Sequence, residues 1–172
     1  AGWLFLQAGD LRNAQRGFES ALDEQPAFYP AEVGMGFVGL TLAVTLADSG
    51  FMVTGVEQDG ETHDALKAGR PHFHEVGLET LLCHHLGRNL RIETDLPQDA
   101  EVYVVAVGTP IGDDGAPDIS NISAISEDIG KCLTYGDLVV IRSTVPVGTC
   151  RNVVLPRLQA GSGLQCGRDF HF

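Results

Sequence analysis

Gly34-Met35-Gly36-Phe37-Val38-Gly39 runs straight into a helical stretch, Leu40 to Asp48, which stops at Gly50, and then into an apolar strand, Met52 to Glu57. The hexad fits Gly-x-Gly-x-x-Gly. In that pattern the first glycine makes a tight turn, the second lets the backbone approach a pyrophosphate, and the third lets helix and strand pack closely. In a chain with 21 glycines the hexad alone is weak evidence. Glu57 strengthens it. This acid ends the next strand about 18 residues past Gly39, close to the spacing at which a carboxylate accepts hydrogen bonds from a dinucleotide's ribose hydroxyls. A carboxylate there repels the extra phosphate of NADP, so the expected cofactor is NAD.

Downstream, strands and helices alternate. Glu61 to Ala68 reads as a short helix closed by Gly69, and Leu78 to Leu86 as another. Leu90 to Thr94 reads as a brief strand. Glu101 to Val107 has the near-continuous apolar character of a strand buried on both faces. Ile119 to Leu133 is an amphipathic helix, Leu138 to Ile141 a further strand, and Thr149 to Leu158 a helix. Strands spaced by helices of this size imply right-handed crossovers and a parallel sheet. The expected fold class is α/β, a Rossmann-like parallel sheet with flanking helices, preceded by a short helical hairpin.

Open α/β sheets bind ligands at the carboxyl ends of their strands. Two such ends stand out. Val107-Gly108-Thr109-Pro110 follows one strand, and Arg142-Ser143-Thr144-Val145-Pro146-Val147-Gly148-Thr149 follows the next. Small residues there permit close approach, and hydroxyls supply hydrogen bonds. Each run taken singly is also what an ordinary strand-to-helix turn with a capping threonine looks like.

Taken together, the runs are far more specific. Gly36-Phe37-Val38-Gly39-Leu40, Gly55-Val56-Glu57, Glu75-Val76-Gly77-Leu78, the Thr109 run, Pro117-Asp118-Ile119-Ser120 and the Ser143 to Thr149 run resemble, in order and spacing, the UDP-glucose and UDP-N-acetylmannosamine dehydrogenase family. So does the tail, with Ser162-Gly163-Leu164 and Asp169-Phe170-His171. The Ser-Thr-Val-Pro-Val-Gly-Thr run weighs against other Rossmann enzymes, such as 6-phosphogluconate or hydroxyacyl-CoA dehydrogenases. The resemblance implies oxidation of the C6 alcohol of a UDP-sugar to a carboxylate with two NAD. It implies that Gly34, Gly36, Phe37, Val38 and Gly39 hold the pyrophosphate, that Glu57 holds the adenosine ribose, and that Thr109 and Thr144 line the nicotinamide side. Glu57 stands where many members carry Asp, and Arg142 where many carry Glu. The family's catalytic Cys lies in a later Gly-rich segment. This chain is therefore expected to be an NAD-binding portion, inactive alone, that stops before the dimer helix and the UDP-sugar domain.

The residues before the hexad fit that pattern poorly. Phe28-Tyr29-Pro30-Ala31-Glu32-Val33 occupies the place of a central strand. Pro30 lacks a ladder donor, and Glu32 would bring a charge into a buried layer. Loss of that strand would leave two half-sheets. Earlier still, Gly2, Phe5, Gly9-Asp10, Ala14, Phe18, Ala21-Leu22 and Pro26 resemble one tetratricopeptide repeat, with a generic helical hairpin as the plain alternative. The expected domains are a helical hairpin over 1–30 and an NAD-binding domain over 31–172. A second functional reading is a protein-interaction module in which the hairpin docks a partner.

Composition sets the outer bounds. With 44% hydrophobic residues, the 172-residue chain can build a core. A net charge of −12 makes nucleic acid a poor partner, while backbone N–H groups can still hold an anionic cofactor. No stretch reaches membrane length, and the expected location is the cytoplasm. Cys83, Cys132, Cys150 and Cys166 form no CxxC pair and read as reduced thiols, with no metal site expected. His84 and His85 point about 100° apart on a helix, cannot face one metal, and read as surface residues. The substrate partner is the UDP-sugar of the whole enzyme, and self-association is left unassigned.

Overall fold

The computed structural model describes residues 34–111 and 115–172. The helical hairpin expected over 1–30, the segment Phe28 to Val33 and most of the turn expected at Gly112 to Gly115 lie outside the described residues. Helix α1, Gly34–Asp48, leads into β1, Val53–Val56. Then come α2, Gly60–Lys67, α3, Leu78–His85, and β2, Leu90–Glu93. The second half holds β3, Val102–Val105, α4, Ser120–Cys132, β4, Leu138–Ile141, and α5, Leu155–Ser162. The alternation is the α/β pattern expected from the sequence.

Both strand pairings are parallel. β1 pairs with β2 in the register Val53 to Leu90 through Val56 to Glu93, and β3 pairs with β4 from Val102 and Leu138 to Val105 and Ile141. Among the described residues these pairs form two separate two-stranded sheets. Each has its own apolar cluster. Leu40, Val44 and Ala47 of α1 pack with Leu66, Leu78, Leu82, Leu90 and Ile92. Tyr103, Val105, Ile122, Ile129, Val139, Leu158 and Phe170 form the other cluster. Full burial of one such side chain stabilises by about 1.5–3 kcal/mol, so these clusters outweigh any single polar contact.

Close backbone contacts set the helix positions. Gly69 ends α2 at φ +73°, and a Cβ there would meet Cys83 Sγ at 2.6 Å. The left-handed φ demands glycine at that stop, and any Cβ would also have to push the exposed Cys83 side chain aside. In the second half, α4 and α5 touch through Gly130 and Gly161. A Cβ on Gly161 would lie 2.9 Å from both the Cα and the carbonyl carbon of Gly130.

Several expectations need correction. Glu101 to Val107 is not buried on both faces: Tyr103 and Val105 point inward, but Val102 is 53% and Val104 38% exposed. The regular strand shrinks to Val102–Val105 because pairing with β4 stops there. His85 is buried rather than on the surface. Asn89 Nδ2 donates to the carbonyls of Ala47 and Phe51 at 2.6 and 3.0 Å. That orientation turns its Oδ1 toward His85 Nδ1 at 3.0 Å, while His85 Nε2 faces Asp48 Oδ1 at 3.1 Å. The helical offset between the two histidines holds, with His84 outside and His85 inside. The helix expected over Thr149 to Leu158 begins as a wide π-type turn, Cys150–Val154, in which the Leu155 N–H reaches back to Cys150 O. Pro156 has no N–H to continue α-type bonding at that point.

The tail closes the second half. Val139 N donates to His171 O and His171 N to Asp137 O, so this segment runs parallel along β4 and seats Phe170 in the core. Asp169 accepts from Arg168 and from the Gln165 N–H at 2.9 Å. Those bonds, the Arg168 pair foremost, hold its carboxyl below the usual range. The sign follows from linkage. The carboxylate's contribution is fully present above the unfolded value, about 3.9, and is lost as pH falls through the lower folded value. Acid unfolding followed by circular dichroism should therefore be less steep below about pH 4 for Asp169→Asn than for the wild type. Identical acid limbs would show that this network adds nothing to folding.

Candidate functional site

The expected site residues fall on three structural features. Gly34, Gly36, Phe37, Val38 and Gly39 all lie in the first turns of α1. The tight turn expected at Gly34 is therefore not what the structure shows there: the helix already includes it. Gly39 meets the second strand pair, since a Cβ there would lie 3.6 Å from Ala106 Cβ, an ordinary contact distance. A methyl group fits there, so this contact does not by itself require glycine.

Glu57 follows β1 directly. Its N–H donates to Glu93 O at 3.0 Å and extends the pairing with β2 by one residue. Its Oε1 accepts from the Asp59 N–H at 2.9 Å. Asp59 in turn caps α2, with Oδ2 accepting from Thr62 N at 2.8 Å, and these bonds lower its pKa. The carboxylate of Glu57 is thus oriented by the turn that starts α2, and its second oxygen makes no hydrogen bond among the described residues. Val56 and Gln58, on either side, line a cavity of about 300 Å³ together with Thr94, Asp95, Ile125 and Asp128. That volume is at the lower end of ligand-pocket sizes. The α4 side of this cavity gave no sequence signal, because its residues are ordinary positions of an amphipathic helix.

Thr109 and Thr144 come together at the ends of β3 and β4. Thr109 is buried, and its hydroxyl donates to Thr144 O at 2.6 Å. Ser143 Oγ donates the other way, to Val107 O at 2.7 Å. Asn121, in the first turn of α4, donates to Gly108 O at 3.3 Å. Asp118 accepts from Ser120 N at 2.8 Å ahead of α4, which lowers its pKa, and its own N–H donates to Pro110 O. Thr144 and Arg142 are exposed on the same run. Sequence reasoning quoted Ser143 but assigned it no role and missed Asn121. A hydroxyl beside a threonine could have been noticed; nothing marked the asparagine. Glu57 belongs to the first strand pair and the threonines to the second, with Gly39 against Ala106 linking α1 to the latter.

Comparison with known proteins shows the family of the chain. Residues 31–172 match the family model for the NAD-binding domain of the UDP-glucose/GDP-mannose dehydrogenase family. UDP-glucose 6-dehydrogenase of Pseudomonas aeruginosa is 41% identical over 125 residues, which cover 70% of this chain and 28% of that protein. UDP-N-acetyl-D-mannosamine dehydrogenase of Campylobacter jejuni is 33% identical over 140 residues, covering 78% and 34%. Among solved structures, a GDP-mannose dehydrogenase ternary complex from Pseudomonas aeruginosa superposes with a TM-score of 0.74 at 34% identity, covering 79% of this chain and 33% of that one. The chain spans about a third of the length of these relatives. The fold is Rossmann-like and its cofactor is NAD. The tetratricopeptide resemblance finds no support in these comparisons, and it falls outside the described residues. By the extent and order of these matches, the chain belongs to the UDP-glucose/GDP-mannose dehydrogenase family and carries its NAD-binding domain over residues 31–172.

Proposed function

We propose that this chain is the NAD-binding portion of a nucleotide-sugar dehydrogenase, an enzyme that oxidises the C6 alcohol of a UDP-sugar to a carboxylate with two NAD. The observation that carries the reading is Glu57, a carboxylate at the end of a parallel strand, held through one oxygen by the Asp59 N–H. In this assignment its other oxygen accepts from the adenosine ribose. Gly34, Gly36, Phe37, Val38 and Gly39 serve the diphosphate at the glycine-bearing end of α1, and Thr109 and Thr144 the nicotinamide half. When bound, NAD supplies the hydride acceptor; the residues of this chain bind and orient it. Asp59 and Glu61 add negative charge beside Glu57, which disfavours a 2′-phosphate and hence NADP.

Catalysis is assigned to the whole enzyme, because the chain spans only about a third of its relatives. Titration with NAD should give saturable binding that weakens about tenfold or more in Glu57→Ala, the expected loss of hydrogen bonds to a charged group. Unchanged affinity would reject the ribose contact. Formation of NADH from UDP-glucose by this chain alone would contradict the division of labour between chain and whole enzyme.

A further inference from the structure

Two hydroxyl-to-carbonyl bonds cross between the loops that end β3 and β4, in opposite directions. Regular pairing of these strands stops at Val105 and Ile141. One more backbone bond follows, from Arg142 N to Val105 O at 2.7 Å. Beyond it, side chains take over: Ser143 Oγ donates to Val107 O at 2.7 Å, and Thr109 Oγ1 donates to Thr144 O at 2.6 Å. The hydroxyls thus extend the ladder past the point where the two backbones no longer pair. Asn121 secures the same segment from α4 by donating to Gly108 O.

A hydroxyl has one hydrogen to donate. The Thr109 hydrogen is committed to Thr144 O at short distance, and Thr109 itself is buried, whereas Thr144 is exposed. The two threonines, alike in the sequence, therefore differ in what they can offer a ligand. We propose that Thr109 and Ser143 are positioning residues, a reciprocal clasp that fixes the two strand-end loops in register so that Thr144 and the neighbouring backbone meet the nicotinamide half of the dinucleotide. Thr109 acts through Thr144, on whose carbonyl its one donor hydrogen is spent. This inference rests on the NAD-binding reading above.

Loss of a clasp hydroxyl frees the loops to separate, and the cost falls on the half of the ligand that lies against them. The adenosine half, held at Glu57 on the other strand pair, is spared. The test compares NAD with ADP, which lacks the nicotinamide riboside, by calorimetric titration of this chain as wild type, Thr109→Val, Thr109→Ser and Ser143→Ala. Valine matches the shape of threonine without the donor, and serine keeps the donor. The expected result is a loss of about tenfold in NAD affinity for Thr109→Val and Ser143→Ala, ADP affinity within about twofold of wild type, and recovery in Thr109→Ser. NAD affinity unchanged in both hydroxyl-deleted variants would overturn the clasp. Equal weakening of NAD and ADP would overturn it too, since that marks general damage to the domain. Wild type that binds neither ligand would reject the NAD-binding reading itself, a failure distinct from the first two. If Thr109→Val does not fold, Ser143→Ala decides the matter by the same comparison, because it breaks the reciprocal bond.

Discussion

Gly161→Val should strongly destabilise the second half of the protein. The substitution places a β-branched side chain where α5 meets α4 backbone to backbone, with Gly130 Cα and C at 2.9 Å from the new Cβ and Lys131 N at 3.2 Å. None of these atoms belongs to a side chain that can swing aside. The helices must separate, and separation opens the cluster around Ile129, Val154 and Leu158, each at most 2% exposed. Overpacking in a core costs about 1–3 kcal/mol, more where backbone must move. Against a total stability of about 5–15 kcal/mol for a domain, that is a substantial fraction. Gly161→Ala is the milder form, since alanine regains up to about 1 kcal/mol of helix propensity, and should still be destabilising. Urea denaturation followed by circular dichroism measures both. A midpoint for Gly161→Val equal to that of wild type would mean the two helices do not touch at these glycines.

Phe170→Ala is expected to be comparably severe by the opposite route. Phe170 is fully buried and is the largest fully buried side chain among the described residues. Its removal leaves a cavity that the surrounding Ile122, Val139 and Leu158 can only partly fill. Truncations of this kind cost about 3–5 kcal/mol, the lost transfer energy plus the void. It also loosens the pairing of the tail with β4, because Val139 N and Asp137 O are bonded to the very next residue, His171. Phe170→Leu should retain most of the stability, since it conserves more volume. Thermal melts of the two variants provide the comparison, and equal midpoints for Ala and Leu would show that the ring is not packed as described.

How far these features could be read in advance depended on how local their causes were. The strand ending at Glu57 and the helix closed by Gly69 rest on patterns a few residues long, and the structure has both. The stop at Gly69 had a second cause that no local pattern carries, the sulfur of Cys83 fourteen positions away. His85 was misplaced for the same reason: its burial depends on Asp48 and on Asn89, which ties it to the end of α1. The open face of β3 was misread because an apolar run records what a strand can bury, not what covers it. At the strand ends, Thr109 and Thr144 were legible as hydroxyls in the right place. Their division into a bonded and an exposed member was not, because it depends on which carbonyl lies opposite. In the glycine hexad, a turn and the first turns of a helix share the same residues, and composition could not choose between them.

The separation of the core into two clusters also bears on the order in which the protein takes shape during synthesis. The cluster of Leu40, Leu66, Leu82 and Leu90 draws on residues that leave the ribosome within about fifty of one another, and its parallel pairing needs only β1 and β2. The other cluster needs Phe170 to be complete, although β3 has emerged some seventy residues earlier. During that interval the half-built second cluster has apolar surface to shield, and the exposed Val102 and Val104 add to it. The nascent chain should thus be most prone to aggregation between the emergence of β3 and that of the tail, after the residues of the first cluster have all emerged.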